Sequence, residues 1–241
     1  MKHFIISFLW LLGAILTVSG ADRYALTAER ATRAYDSREW SSAAALYELM
    51  LDMRPDSSDI YARAIVANIQ VPDTAATVDL MERAMSHGLG LADVLTEVRT
   101  QSFAIGRGDS YGDYLLQLRA AMPWMSRALD HELLEYYTFR NDGPMTVRYA
   151  RIMLAGLPES AEYRAVLARG YLLSGDDRQA VATWQAMLQT DHDDYTALLN
   201  LGNYHAVMGD NTEAAEYLRR AQRLHPTPYV EATLRRLDMR R

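Results

Sequence analysis

The histidines are the first candidates for metal chemistry, and their spacing argues against it. Beyond the N-terminus they are His87, His131, His192, His205 and His225. A zinc site on one helix uses the pattern H-E-x-x-H, which places two imidazoles on the same face. His131 is followed by Glu132 but by no second histidine at that distance. The sequence therefore predicts no zinc site.

The run Asp191-His192-Asp193-Asp194 is a second candidate, because clustered oxygens can bind a divalent cation. The run lacks the glycine and the distal glutamate of a helix–loop–helix calcium site. It also falls at the predicted start of a helix, where carboxylates accept hydrogen bonds from the backbone and are favoured by the helix dipole. We interpret the run as a helix cap.

A glycine-rich segment, Gly106–Ser110, contains the string RGDS that is known from integrin ligands. Its glycines neither follow a predicted strand nor have the spacing G-x-G-x-x-G, so a dinucleotide site is not indicated. We interpret the segment as a flexible turn between two helices.

The composition excludes further classes of site. The chain has no cysteine, which removes disulfides, thiol nucleophiles and thiolate ligands. Its one lysine is Lys2, so no later lysine can form a Schiff base or serve a phosphate loop. The formal net charge of -6 lacks the basic excess of a general nucleic-acid binder. We expect no catalytic residue, no metal, no cofactor and no nucleic-acid partner.

The N-terminus has the layout of a secretory signal peptide. Lys2 supplies the positive charge, and Phe4–Val18 is an uninterrupted apolar run followed by small residues. The run is short for a membrane-spanning helix, which needs about 20 residues. We expect a signal peptide over residues 1–20, cleaved after Gly20 or Ala21, and a periplasmic or secreted protein without a membrane span. An uncleaved anchor is the alternative.

The remaining chain repeats with a period of about 34 residues. Pairs separated by one period are Leu167 and Leu201, Gly175 and Gly209, Asp176 and Asp210, and Ala180 and Ala214. Two proline pairs, Pro55 with Pro123 and Pro158 with Pro226, are separated by two periods. The frame divides the chain into repeats 1 to 6, at 24–57, 58–91, 92–126, 127–160, 161–194 and 195–228. Such a fixed period predicts stacked supersecondary units.

Each unit is predicted to contain two helices. Apolar residues recur at helical spacing in segments such as Ala43–Met53 and Glu213–Leu224. Gly-Asp pairs and Asn141-Asp142-Gly143-Pro144 supply turns. Residues 229–241 are predicted to form a capping helix, with Val230, Leu234 and Leu237 facing inward and Arg235, Arg236, Arg240 and Arg241 facing water. About thirteen helices and an all-α fold follow.

Repeats 1, 5 and 6 resemble the tetratricopeptide repeat family. The residues that carry the resemblance are Ala31, Trp40, Ala43, Tyr47 and Pro55, then Ala168, Tyr171, Gly175, Ala180 and Trp184, then Leu198, Leu201, Gly202, Gly209, Ala214, Ala221 and Pro226. The resemblance implies a right-handed superhelical solenoid of helix–turn–helix repeats. Within the N-terminal units, 24–126, the second and third are degenerate, and 127–228 holds the C-terminal units.

The resemblance also implies where a partner binds. In the family, the first helix of each unit lines a concave face through positions two, five, six, nine, twelve and thirteen. The polar residues that we transfer to this face are Arg169, Asn200, Asn203, His131 and Glu135. Asparagine can donate and accept, and arginine can pair with a carboxylate. The lysine-rich clamp that some members use for chaperone C-termini is absent. We expect a non-catalytic scaffold for a protein or peptide.

Two alternatives stay open. Residues 88–126 depart most from the repeat and are expected to be irregular, so the first alternative is an enzyme with its site in a loop there. It would use Glu97, Arg99, Arg107, Asp109 and Asp113. The other alternative is an oligomer built by end-to-end stacking of repeats. Tyr136, Tyr137 and Phe139 lie on one predicted helix and either line a binding surface or, as we prefer, fill the core.

Overall fold

The computed structural model describes residues 20–71 and 74–239. Within them lie thirteen α-helices and one short 3-10 helix, so the predicted all-α fold is confirmed. Residues 1–19, which hold the predicted leader apart from Gly20, lie outside the described residues. The leader therefore stays a prediction.

The chain forms two compact units, divided between Ala121 and Met122. The first unit contains α1 (Gly20–Asp36), α2 (Trp40–Met53), α3 (Ser58–Ile69), α4 (Thr74–Ser86), α5 (Leu91–Ala104) and α6 (Gly108–Ala121). The second contains the 3-10 helix Pro123–Met125, then α7 (Ser126–Phe139), α8 (Gly143–Gly156), α9 (Ala161–Leu173), α10 (Asp177–Thr190), α11 (Tyr195–Met208), α12 (Asn211–Leu224) and α13 (Pro228–Asp238). Each predicted repeat is thus one pair of helices.

The turn between the two helices has the same backbone conformation in five repeats. At position 15 of these repeats φ is positive, at Arg38 (60°), Gly106 (75°), Asn141 (54°), Gly175 (75°) and Gly209 (89°). Glycine and asparagine adopt this left-handed region most readily, which explains why glycine occupies this position in three repeats and asparagine in a fourth. Arg38 adopts it without that advantage. The sequence offered no local signal for this turn in repeat 1.

Residues 88–126 are not irregular, and this expectation was wrong. They form the hairpin of α5 and α6, whose inward side chains are buried at helical spacing. The buried side chains are Val94, Leu95, Val98, Tyr111, Tyr114, Leu115 and Leu118. The segment with the RGDS string is also not a loop throughout, because Gly108 begins α6. Apolar periodicity alone suffices for the hairpin, without the small residues typical of the family.

The capping helix α13 packs on α12, as predicted. Val230 and Leu237 are buried with Ala214, Ala215 and Leu218 in one apolar cluster, against which Leu234 also packs. Arg235 and Arg236 are exposed on its outer side. A polar outer face is what a terminal repeat needs to end a stack.

Side-chain caps begin several helices of the second unit. The capping residues, each accepting from a backbone N–H of the first turn, are Asp142, Ser160, Asp176, Asp194 and Thr227. Asp194 accepts from Ala197 N at 2.9 Å, and Asp191 accepts from Asp193 N at 2.9 Å. The interpretation of this acidic run as a cap is confirmed.

Candidate functional site

The first helices of the last three repeats, α7, α9 and α11, carry all five residues predicted to bind a partner. We call their solvent-facing side chains the first-helix surface. Ala168 and Tyr171 of α9 share one apolar cluster with Ala197 and Leu201 of α11. His131 of α7 contacts Tyr163 of α9, with ring centroids 6.1 Å apart. The three helices therefore form a continuous scaffold for the predicted residues.

Arg169 is exposed on α9. Its Nη2 donates to Oδ1 of Asn141, in the turn of the preceding repeat, at 3.3 Å. A guanidinium has five N–H donors in a planar fork. One bond to Asn141 therefore orients the group and leaves donors for a carboxylate on a partner.

Asn200 and Asn203 lie three residues apart on α11 and therefore share one helix face. Nδ2 of Asn200 donates to the carbonyl oxygen of Thr196 at 2.8 Å. Oδ1 of Asn203 accepts from the Tyr229 hydroxyl at 3.0 Å. These bonds leave Oδ1 of Asn200 as an acceptor and Nδ2 of Asn203 as a donor. The pair offers the two groups that complement the N–H and C=O of a peptide bond.

His131 and Glu135 meet one turn apart on α7. Nε2 of His131 lies 3.7 Å from Oε1 of Glu135, and Nδ1 lies 3.4 Å from the Tyr163 hydroxyl. Both side chains are partly open to solvent. The arrangement fixes the plane of the imidazole and joins α7 to α9. Among the five predicted residues, Glu135 supplies a carboxylate and Arg169 a permanent positive charge.

An exposed row of apolar side chains lies on the same three helices and was not predicted. Phe139 is 70% exposed, Leu173 is 38% exposed and Val207 is 81% exposed. All three occupy position 13 of their repeats, so that successive members are one period apart. We call them the apolar row. Positions twelve and thirteen line the concave face in the family. The same positions, read for apolar as well as polar residues, would have predicted these three side chains.

The aromatic residues of α7 divide between the two interpretations. Tyr136 is buried at 7% exposure, and Tyr137 stacks on Tyr149 with ring centroids 5.6 Å apart. Core packing is confirmed for these two tyrosines. For Phe139 it was wrong, because the ring lies at the exposed end of the helix.

The candidates for an enzyme site in 88–126 are divided between two helices and the turn that joins them. Glu97 and Arg99 lie on α5, Asp109 and Asp113 on α6, and Arg107 in the turn between them. One open groove of this unit lies between α4 and α6. Its lining residues are Ala75, Val78, Asp79, Glu82, Gln117, Ala120 and Ala121. None of the five candidates lines that groove.

Two further features of the described residues concern metal binding and membranes. In residues 20–71 and 74–239, no group of three or more histidine, aspartate or glutamate side chains is arranged to hold a metal ion. Among the helices described, none combines the length and apolar character that crossing a bilayer requires.

The paired helices, their constant period and the capping helix define an all-α repeat protein with a tetratricopeptide-type fold. No family profile and no curated protein sequence matches the chain. Among solved structures, a tetratricopeptide repeat protein from Parabacteroides merdae aligns with 90% of this chain and 84% of its own, at 12% identity and a TM-score of 0.48. The all-α repeat architecture that the resemblance implied is confirmed by the paired helices.

Two other solved structures also align with most of this chain. Pseudomonas aeruginosa pilF aligns with 92% of this chain and 99% of its own length, at 14% identity and a TM-score of 0.44. The TPR2AB domain of yeast Sti1, solved in complex with pHSP90, aligns with 91% of this chain and 97% of its own, at 13% identity and a TM-score of 0.37.

Proposed function

We propose that the protein is a non-catalytic scaffold that acts outside the cytoplasm and holds a segment of another protein on the first-helix surface. His131, Glu135, Arg169, Asn200 and Asn203 are the polar contacts of this site. The observation that carries the proposal is the pair on α11, where Asn200 keeps an acceptor and Asn203 keeps a donor beside each other. Such a pair complements a peptide backbone rather than a particular side chain.

The surface also has the electrostatic variety that a specific partner requires. Arg169 offers a positive fork that is held in place by Asn141, and Glu135 offers a negative group two repeats before Asn203. Complementary charge at such positions contributes more to specificity and association rate than to affinity. The rigid helices below them keep the groups in fixed positions, which lowers the entropic cost of binding.

A pull-down with the tagged protein, lacking residues 1–20, from its native envelope fraction tests the proposal. The partner recovered is then measured against a variant in which Arg169, Asn200 and Asn203 are alanine. We expect Arg169→Ala alone to weaken binding by roughly 1–3 kcal/mol, the value of a charged hydrogen bond. All three substitutions should leave the fold intact, because they are at the surface.

A matched control lies on the second helix of repeat 5. Arg178, Gln185 and Gln189 are on α10, and their triple alanine variant changes the same kinds of side chain on the other side of the hairpin. We expect this control to bind normally. Undiminished binding by the Arg169, Asn200 and Asn203 variant, or an equal loss in the control, would place the site elsewhere.

Export is part of the proposal and is supported by the signal-peptide layout of residues 1–20. Mass spectrometry of the protein from its native host gives the N-terminus directly. We expect the mature chain to begin at Ala21 or Asp22. An intact Met1 with retention in the membrane would instead make Phe4–Val18 an anchor.

A further inference from the structure

We propose that the segment held on the first-helix surface is a basic amphipathic α-helix whose apolar side chains pack on Phe139, Leu173 and Val207. This inference rests on the proposed scaffold function and specifies the chemistry of its partner. It starts from the apolar row, which places three large side chains at one repeat position with exposures of 70%, 38% and 81%.

The row is wider than one residue. Leu172 is 37% exposed beside Leu173, and Met208 is 51% exposed beside Val207. Soluble proteins expose single apolar side chains routinely, but a set repeated at one position of successive repeats indicates an interaction surface. The stripe therefore needs a partner with an apolar face about two side chains across.

Two members of the row, Phe139 and Leu173, belong to abutting segments. A methyl group added at Gly143 would lie 2.6 Å from the carbonyl carbon of Leu173 and 2.5 Å from the nitrogen of Ser174. The turn after Phe139 thus touches the end of α9 directly. Arg169 and Asn141 reinforce the same junction with their 3.3 Å hydrogen bond. Phe139 and Leu173 are consequently parts of one surface.

The spacing between repeats favours an α-helix as the partner. Packed helices lie about 8–10 Å apart, and seven residues of an α-helix rise about 10.5 Å. A helix with apolar residues at heptad spacing can therefore contact each repeat in turn. Side chains on one face of a β-strand repeat at roughly two-thirds of that distance, which does not match. A polyproline helix has a suitable rise of about 9.3 Å per turn but presents a narrower edge.

The negative charge beside the apolar row indicates that one flank of the partner helix is basic. Asp142, Asp176 and Asp210 each occupy position 16, three residues after a member of the row. Asp142 and Asp176 each accept one backbone N–H at 3.1 Å, and a carboxylate has further acceptor capacity. Arg140 is the cation within these turns, and the guanidinium of Arg169 lies beside one of them through its hydrogen bond to Asn141, so the three carboxylates exceed the two cations. The excess of negative charge favours lysine or arginine along one flank of the bound helix.

A synthetic peptide tests this chemistry directly. The probe is a fluorescein-labelled amphipathic helix of about 18 residues with leucines at heptad spacing and lysines on one flank. We expect it to bind the protein in a fluorescence anisotropy titration, to gain helicity in circular dichroism on binding, and to bind more weakly as salt is added.

Three reference peptides and two protein variants make the test specific. The references are a scrambled peptide, one with glutamate for lysine, and one with a central proline. The double variant Leu173→Asp and Val207→Asp should bind the basic helix at least about tenfold more weakly, since each apolar contact is lost. The control variant Leu157→Asp and Leu224→Asp changes leucines of 43% and 42% exposure at the ends of second helices and should bind normally.

Failure of this inference can be told from failure of the scaffold proposal. Absence of binding, equal binding of any reference peptide, or full binding by the Leu173 and Val207 variant would overturn the basic-helix partner. Loss of the pull-down partner in the Arg169, Asn200 and Asn203 variant, together with its retention in the Leu173 and Val207 variant, would leave the scaffold standing without the apolar row. Thermal melts of all variants establish that each is folded.

Discussion

Arg169 of α9 donates a hydrogen bond to Asn141, whose backbone is in the left-handed region with φ of 54°. The bond connects the first helix of repeat 5 to the turn of repeat 4. Both residues are exposed, so the bond contributes little to the stability of the fold. Its effect is to hold the guanidinium at one place on the first-helix surface.

We expect Asn141→Gly to show how much of the contribution of Arg169 to partner binding depends on its orientation rather than on its charge. Glycine keeps the left-handed turn without strain and removes the side-chain acceptor. The variant should melt within a few degrees of the parent protein and weaken partner binding less than Arg169→Ala does. Isothermal titration with the partner measures this. A loss equal to that of Arg169→Ala would mean that Asn141 itself contacts the partner.

Gly143 is predicted to be intolerant of a side chain. A β-carbon there would lie 2.5 Å from the backbone nitrogen of Ser174, and the backbone cannot move aside as a side chain can. We expect Gly143→Ala to lower the free energy of unfolding by about 1–3 kcal/mol, the usual cost of overpacking. Urea unfolding followed by circular dichroism gives the value.

Gly156 is the matched control, since it ends the same helix and a β-carbon there meets no atom within 4 Å. Gly156→Ala should be neutral or stabilise the protein by up to about 1 kcal/mol, because alanine favours the helix. Equal effects of the two substitutions would contradict the contact between Gly143 and α9.

The caps of α11 and α12 differ in a way that mutation should reveal. Asp194 accepts from Ala197 N, whereas the Asp210 carboxylate lies 3.3 Å from Nδ1 of His205 and makes no side-chain cap bond. We expect Asp194→Ala to cost about 1 kcal/mol of unfolding free energy and Asp210→Ala only a few tenths. Urea unfolding at pH 7 compares them, and a larger cost for Asp210→Ala would disprove this assignment of caps.

The capping helix is expected to be essential for solubility. Val230 is fully buried on its inner face, so Val230→Asp places a carboxylate among apolar side chains. The cost should be about 2–4 kcal/mol, with a lower Tm and aggregation. Ala232→Asp, on the exposed side of α13, should change stability by less than about 0.5 kcal/mol.

Deletion of Tyr229–Arg241 should have the same consequence as Val230→Asp, because it uncovers Ala214, Ala215 and Leu218. Size-exclusion chromatography and thermal melts measure both variants. A deletion variant that stays monomeric with an unchanged Tm would show that α12 does not need a cover.

Tyr35 makes the first unit sensitive to alkali. Burial raises the pKa of Tyr35 to about 12 from its usual value of 10, and the nearby Arg63 opposes the rise only partly. The folded protein therefore keeps this proton between about pH 10 and 12, while the unfolded chain loses it. Stability contributed by the neutral tyrosine is present below pH 10 and is lost as the pH rises through the folded pKa.

We expect Tyr35→Phe to flatten the decline of stability between about pH 10 and 12. Among the described residues the Tyr35 hydroxyl has no hydrogen-bond partner, so its removal should leave stability at pH 7 unchanged or slightly raised. Urea unfolding across this pH range measures the difference between the two proteins. An identical slope in both would show that Tyr35 is not the group that titrates.

The helical hairpins follow from local sequence, because helix formation and turns depend on residues close together in the chain. Apolar spacing in Glu213–Leu224 predicts α12, and Gly209 with Asp210 predicts the turn before it. Repeats 2 and 3 are degenerate only by comparison with family residues. Their apolar periodicity was sufficient, as α5 and α6 demonstrate.

Local sequence could not reveal which side chains remain available to a partner. Tyr136 and Phe139 are three residues apart on α7, yet one is buried and the other is 70% exposed, because α8 and α9 cover only part of α7. The left-handed turn at Arg38 likewise has no cue in its residue type.

The sequence by itself determined the fold class, the number of repeats, the acidic caps and the helices on which the predicted binding residues lie. Only the tertiary structure decided which hydrogen-bond donors and acceptors of those residues are already used within the protein. Asn203 has its acceptor occupied by Tyr229 of the capping helix, and Arg169 is held by Asn141 of the preceding repeat. Such bonds join elements that are separate in the chain, so the donors and acceptors left for a partner are known only once the repeats are stacked.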